Sequence, residues 1–313
     1  MVTKVMQIAA KSSPQNNALL LMIFGGFMFA SMGALTHALG KEVDWLLIAF
    51  IRMGLSFVIT LLLALRADIN PFLLNRPLLW FRSFVGSSVM LATFYALTVL
   101  PISDVAVITE SRPIWVALLA GYLLGETTGK KIWFSIVFGI LGIVLVEHPI
   151  FTSGSFAGAV ALYAAIGGAV VMICLRKLRD LDTRVIVTHF SATATVIAFL
   201  TLITVRGEAD FSQLGDTRIL LMLLGIGVVG TLGQLAMTKA FSMGEAPSVA
   251  SAGFVKVGFS AGYDIFIWKY VFEYPTILGM LLILGSTMWL FKRKKEPLEF
   301  KLPEKKLNIK DGS

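Results

Sequence analysis

Residues 156–179 read FAGAVALYAAIGGAVVMICLRKLR. The first twenty contain no charged residue, and Arg176, Lys177 and Arg179 follow at once. About 20 apolar residues rise the thickness of a bilayer's hydrocarbon core as a helix, whereas a β-strand needs only about half as many. Cations crowded at one end read as an anchor in the cytoplasmic headgroup layer. Within the run Ala157, Ala161, Ala165 and Ala169 recur every four residues, a small-residue face on which helix backbones approach closely in lipid. This stretch predicts a transmembrane helix, and a packed one.

Working outward, the pattern repeats. Apolar segments fall at 18–40, 43–65, 77–100, 103–124, 131–147, 156–176, 184–205, 217–240, 247–269 and 275–292, so ten spans are expected. Turn signals separate them: Pro101 before Ser103-Asp104, Gly129 before Lys130-Lys131, and Gly244 through Pro247. Composition agrees, with 57% hydrophobic and 15% charged residues among 313 and a mean hydropathy of +0.82. Soluble domains carry about 25% charged residues. The predicted class is an all-α membrane protein. A second small-residue face is expected from Ala117, Gly121 and Gly125, and the glycines of 225–233 are expected to permit bending.

The formal charge of +8 does not point to nucleic acid. Eight of the 27 Lys and Arg residues lie in a tail beginning at Lys292, as beside an anionic lipid surface. With the amino terminus inside, eighteen fall on the inner side and four on the outer, leaving Arg52, Arg82, Arg112, Lys239 and Lys256 within or at the ends of spans. The bias predicts a multi-pass protein of the plasma (inner) membrane with both termini cytoplasmic. Residues 1–17 lack the layout of a cleaved signal and are read as a cytoplasmic segment. The one cysteine, Cys174, reads as a packing residue.

The halves are related. A shift of 144 residues lays Ala96 on Ala240, Val105 on Val249, Thr98 on Ser242, Trp115 on Phe259 and Arg112 on Lys256. Five spans per half start the second copy on the opposite side of the membrane. That is an inverted repeat, an architecture of alternating-access transporters. The expected organisation is a repeat over 18–148, a second over 155–292, and a basic tail over 293–313.

Residues 94–108 (FYALTVLPISDVAVI), 112–126 (RPIWVALLAGYLLGE) and 139–146 (GILGIVLV) resemble an EamA domain, and 49–57 (AFIRMGLSF) resembles its second span. The second half is more degenerate, with WKYVFEYP at 268–275. The resemblance, to the drug/metabolite transporter superfamily, implies a ten-span secondary transporter with cytoplasmic termini. It implies a central cavity lined mainly by spans one, three, four, six, eight and nine, and substrates that are small metabolites, often exported.

Charge inside a span costs about 2.5–3.5 kcal/mol on insertion scales and is a pointer to function. Span four carries Glu110, Ser111, Arg112 and Pro113 in succession. Pro113 cannot donate to the Thr109 carbonyl and kinks the helix there. In span nine Lys256, Ser260, Tyr263 and Asp264 share one face, Lys256 and Asp264 standing about 12 Å apart along the axis. Arg112 and Lys256, as repeat mates, are expected at one depth, where they would suit a carboxylate or phosphate. Glu110 and Asp264 would take an ammonium group or a coupled proton. Trp115, Tyr95 and Gln234 complete the candidate substrate-binding set, while His37, His189, Arg52 and Arg82 read as architectural.

No HExxH, GxSxG, Walker loop or His/Cys/Asp cluster is present, so neither catalysis, a cofactor nor a metal is expected. The reading is a secondary transporter of an amino acid, another zwitterion or an organic anion, run by an ion or proton gradient or by exchange. Its partners are the substrate and the bilayer. The alternatives are a nucleotide-sugar or organophosphate exchanger and, from other classes, a membrane enzyme or receptor.

Overall fold

The computed structural model describes residues 13–40, 42–71, 75–99, 102–126, 128–147, 156–206, 212–267, 269 and 274–291. These form twelve α-helices and one 3-10 turn, Ser212–Gly215, with no strand among them. The helices are α1 Pro14–Leu39, α2 Trp45–Leu65, α3 Pro77–Val99, α4 Ile102–Glu110, α5 Arg112–Leu124, α6 Lys130–Glu147, α7 Phe156–Lys177, α8 Thr183–Arg206, α9 Thr217–Met243, α10 Ala246–Ala252, α11 Val255–Phe266 and α12 Tyr274–Phe291. The expected cytoplasmic tail, 293–313, lies outside the described residues.

Local chemistry sets the ends. Ser13 accepts from the Asn16 N–H at 3.3 Å, and Pro14 occupies the first turn, where its missing N–H costs nothing. The first helix therefore starts four residues earlier than its apolar run. Asp44 caps α2 through the Leu46 N–H at 2.8 Å, and Asp216 caps α9 through Arg218 N–H at 2.7 Å. Asp182 caps α8 and takes two further bonds from the Arg184 guanidinium, which hold its carboxyl below the usual range.

Among the described residues, seven segments are long and apolar enough to cross a membrane: α1, α2, α3, the α4–α5 pair, α7, α8 and α9. By this measure α6, the α10–α11 pair and α12 fall short of the ten expected. The α10–α11 pair is interrupted at Gly253–Phe254, and the apolar stretch of α12, Tyr274–Trp289, is shorter. Large apolar side chains such as Leu221, Val196, Phe84 and Leu281 stand more than half exposed, as suits helices facing lipid.

Packing is by pairs: α1 on α9, α3 on α7, α2 on α8 and α6 on α12, with α2 also on α9, α3 on α8, α1 on α11, and α5 on both α7 and α10. The alanine face of α7 is buried throughout, and Ala157 and Ala161 cluster with Ala96 and Val105. The expected second face fails: Ala117 is buried, but Gly121 and Gly125 are exposed, and Gly125 instead ends α5 at φ +65°, a conformation glycine adopts without strain. The glycines of α9 act as seats. Gly227 takes Leu55, Gly230 takes Arg52 and Gly233 takes Phe29.

A close backbone approach joins α6 and α12. A Cβ on Gly142 would meet the Gly279 carbonyl oxygen at 2.7 Å, and one on Gly279 would meet that of Gly142 at 2.6 Å. Neither obstacle is a flexible side-chain tip, so the helices must part. Gly142→Ala is expected to destabilise the purified protein by about 1–3 kcal/mol, read as a lower melting temperature. Gly33→Ala, where a Cβ meets nothing within 4 Å, should leave it nearly unchanged. Equal effects would mean that the close approach contributes nothing.

Candidate substrate site

The interruptions in the fourth and ninth segments meet. Pro113 has no N–H for the Thr109 carbonyl, and that acceptor is taken instead by Arg112 Nε at 2.7 Å. The backbone passes the break with shorter-range bonds, Ser111 N–H to Ile108 O and Ile114 N–H to Ser111 O. A similar tightening marks the other break, where Phe254 N–H reaches Ser251 O and Lys256 N–H reaches Gly253 O.

Glu110 ends α4, Arg112 begins α5, and Lys256 is the second residue of α11. Their side chains converge. Lys256 Nζ donates to Glu110 Oε1 in a short ion pair, and Arg112 reaches the same oxygen at 3.5 Å. The Glu110 side chain is 11% exposed, against 26% for Arg112 and 35% for Lys256. The carboxylate thus lies deepest, with the two cations nearer open space. The trio carries one net positive charge. Two glycines make room for it. A Cβ on Gly168 of α7 would meet Arg112 Cδ at 2.7 Å, and one on Gly26 of α1 would meet Val255 Cγ1 at 3.1 Å and the Lys256 backbone N at 3.4 Å.

Two turns along α11, the Tyr263 hydroxyl bonds Ser31 of α1 at 2.6 Å. Tyr263 stacks on Phe27, which meets Phe259 edge-on. Ser260 is half-buried between Lys256 and Tyr263 along the helix. Trp115 donates from Nε1 to Ser111 Oγ at 3.3 Å across the break and packs on the main core cluster. Gln234 is buried in α9 with its amide 3.5 Å from Thr238 Oγ1. Tyr95 stands apart, 41% exposed and edge-on to Phe156 at the start of α7. The side chain of Asp264 is outside the described residues.

Sequence reasoning missed a second polar node. Glu126, placed by the left-handed Gly125, accepts from Arg176 Nε at 2.7 Å and from the Ala246 N–H at 2.9 Å. Arg176 also donates to the Ser242 carbonyl, and Gln15 accepts from the Glu245 N–H. One latch therefore joins the start of α1, the ends of α5 and α7, and the α9–α10 junction. The Gly-Glu pair after α5 and the basic end of α7 were the available signals; their distant partners were not.

Broken helices bearing a shared ion pair at their breaks, inside an all-helical bundle of apolar spans, are features that membrane transporters use. The comparisons agree. Residues 16–147 match the EamA-like transporter family. The Pseudopaline exporter CntI of Pseudomonas aeruginosa is 28% identical, over 89% of this chain and 97% of its own. Solute carrier family 35 member G1 of Homo sapiens is 29% identical over 70% of this chain and 63% of its own. An S-adenosylmethionine uptake transporter of Rickettsia bellii is 23% identical over 84% and 89%. A crystal structure of a protein 13% identical in sequence superposes with a TM-score of 0.78 over 88% of this chain and 96% of that one, which shows the fold.

The latch makes its own prediction. In a double-mutant cycle of Glu126→Ala and Arg176→Ala, an interaction energy of about 1–3 kcal/mol is expected in the unfolding of detergent-solubilised protein. Additive effects would show that the pair contributes no joint stability.

Proposed function

We propose that this chain is a ten-span secondary transporter of two inverted repeats, 18–148 and 155–292, that moves a small metabolite bearing an anionic group by alternating access. The observation that carries the reading is the ion-paired trio Glu110, Arg112 and Lys256, held where the fourth and ninth spans both break. Mid-membrane charge persists only when paired or wetted, and interrupted helices supply binding sites in transporters. One net positive charge with two partly exposed cations favours a carboxylate or a zwitterion over a multiply charged phosphate ester.

The packing supports the repeat. Exchanging α1 with α7, α2 with α8, α3 with α9, α4–α5 with α10–α11 and α6 with α12 turns the α1–α9 contact into α7–α3, α2–α9 into α8–α3, and α1–α11 into α7–α5, all of which occur. The same exchange turns Gly26 beside Lys256 into Gly168 beside Arg112. The distribution of Lys and Arg supports cytoplasmic termini and a plasma (inner) membrane setting. On that orientation the Glu126 latch lies at the inner end of the bundle.

Lys256 is the better contact for substrate, because Arg112 already spends Nε on the Thr109 carbonyl. Glu110 is then the group a substrate carboxylate displaces and a proton neutralises, which ties flux to a gradient or to exchange. Proteoliposome uptake of a labelled panel of amino acids and organic acids tests this. Lys256→Gln is expected to lower flux of any accepted substrate at least tenfold while the protein stays monodisperse. Arg112→Lys should retain part of the flux, since a lone ammonium replaces the fork. Undiminished flux in Lys256→Gln would remove the site from the transport path.

A further inference from the structure

The trio leaves one concentration of positive charge unexplained, at the opposite ends of its neighbours. A cavity of about 400 Å³ lies between the start of α3 and the end of α7, lined by Arg76, Pro77, Lys177, Leu178, Arg179 and Asp180. Both helices are long and apolar enough to cross the membrane, and the cavity sits at their ends, which is the level of lipid headgroups. Three cations line it against one carboxylate, and that carboxylate, Asp180, is 3.5 Å from Arg76. Lys177 and Arg179 stand exposed, with no ion pair among the described residues.

A second observation lies below. Arg82 follows Leu78, another residue of the cavity wall, by one helical turn on the same face of α3. Its residue is 1% exposed, and its guanidinium lies 4.0 Å from the centre of the Phe190 ring. Its Nε and one terminal nitrogen have no hydrogen-bond partner among the described residues. A buried guanidinium without a carboxylate is a costly arrangement, and the ring face offsets only part of it. The region is therefore short of negative charge at two depths.

We propose that this cavity binds the phosphate group of an anionic phospholipid. A phosphodiester at the rim would meet Lys177 and Arg179, with Arg able to offer two parallel N–H donors. Basic hollows between membrane helices take such headgroups. The apolar Leu78 and Leu178 in the wall suit the glycerol end of the lipid, and the lipid's charge would lie one turn above Arg82, in a low-dielectric setting where attraction is screened little. The site is separate from the trio, so it stands whatever the transported solute is.

The experiment uses the full chain in nanodiscs of phosphatidylcholine alone or mixed with phosphatidylglycerol, reading the melting midpoint and, by native mass spectrometry, the lipids retained. Phosphatidylglycerol is expected to raise the midpoint, and the double variant K177Q/R179Q to lose most of that shift and the retained lipid. K130Q/K131Q, which removes two exposed cations outside the cavity, should keep both. Equal loss in the two variants would overturn the proposal in favour of a general surface attraction, as would an undiminished shift in K177Q/R179Q. Inorganic phosphate added to phosphatidylcholine nanodiscs should do nothing. A shift matching that of phosphatidylglycerol would assign the cavity to soluble phosphate and overturn the lipid assignment.

Discussion

A carboxylate with two cations in the middle of an apolar bundle is the constraint around which the other contacts arrange themselves. In hydrocarbon, Glu110 is stable as an anion only if Lys256 and Arg112 reach it, and they reach it only if two helices break at one place. The breaks in turn require neighbours that can come close. Gly26 and Gly168 supply that, each leaving space that a methyl group would fill. Charge, kink and glycine are thus one arrangement with three parts.

Much of the fold was legible because lipid imposes a simple rule. Uninterrupted apolar runs of span length become helices, and α1, α2, α3, α7, α8 and α9 lie where hydropathy places them. The alanine face of α7 was equally plain. The break after α4 was announced by Pro113. Its counterpart at Gly253–Phe254 was not, because no proline marks it and its apolar composition reads straight through. Gly121 and Gly125 misled for a local reason: small residues four apart also occur at a helix end, where glycine serves the left-handed turn.

The candidate site was legible as a set of residues and not as an arrangement. Glu110 and Arg112 are two apart, which on a regular helix directs them to different faces. The break at Ser111 undoes that rule and brings them within 3.5 Å of each other. The contact from Lys256 spans 146 residues of chain, a separation no local pattern encodes. Glu126 shows the same limit, since its partners Arg176 and Ala246 come from two other helices. Short-range signals name the charged residues; tertiary packing decides which of them meet.

Pro113 and Arg112 act as a pair. The proline deprives the Thr109 carbonyl of its usual donor, and the neighbouring side chain covers the debt. Neither position is free to drift alone. A chain that replaced the proline would regain a backbone donor and set the guanidinium loose beside Glu110, whereas one that replaced the arginine first would strand an acceptor in the bundle. Among diverging descendants the two should be lost together or kept together, so that a kink in the backbone would be written as a correlation between adjacent letters of the sequence.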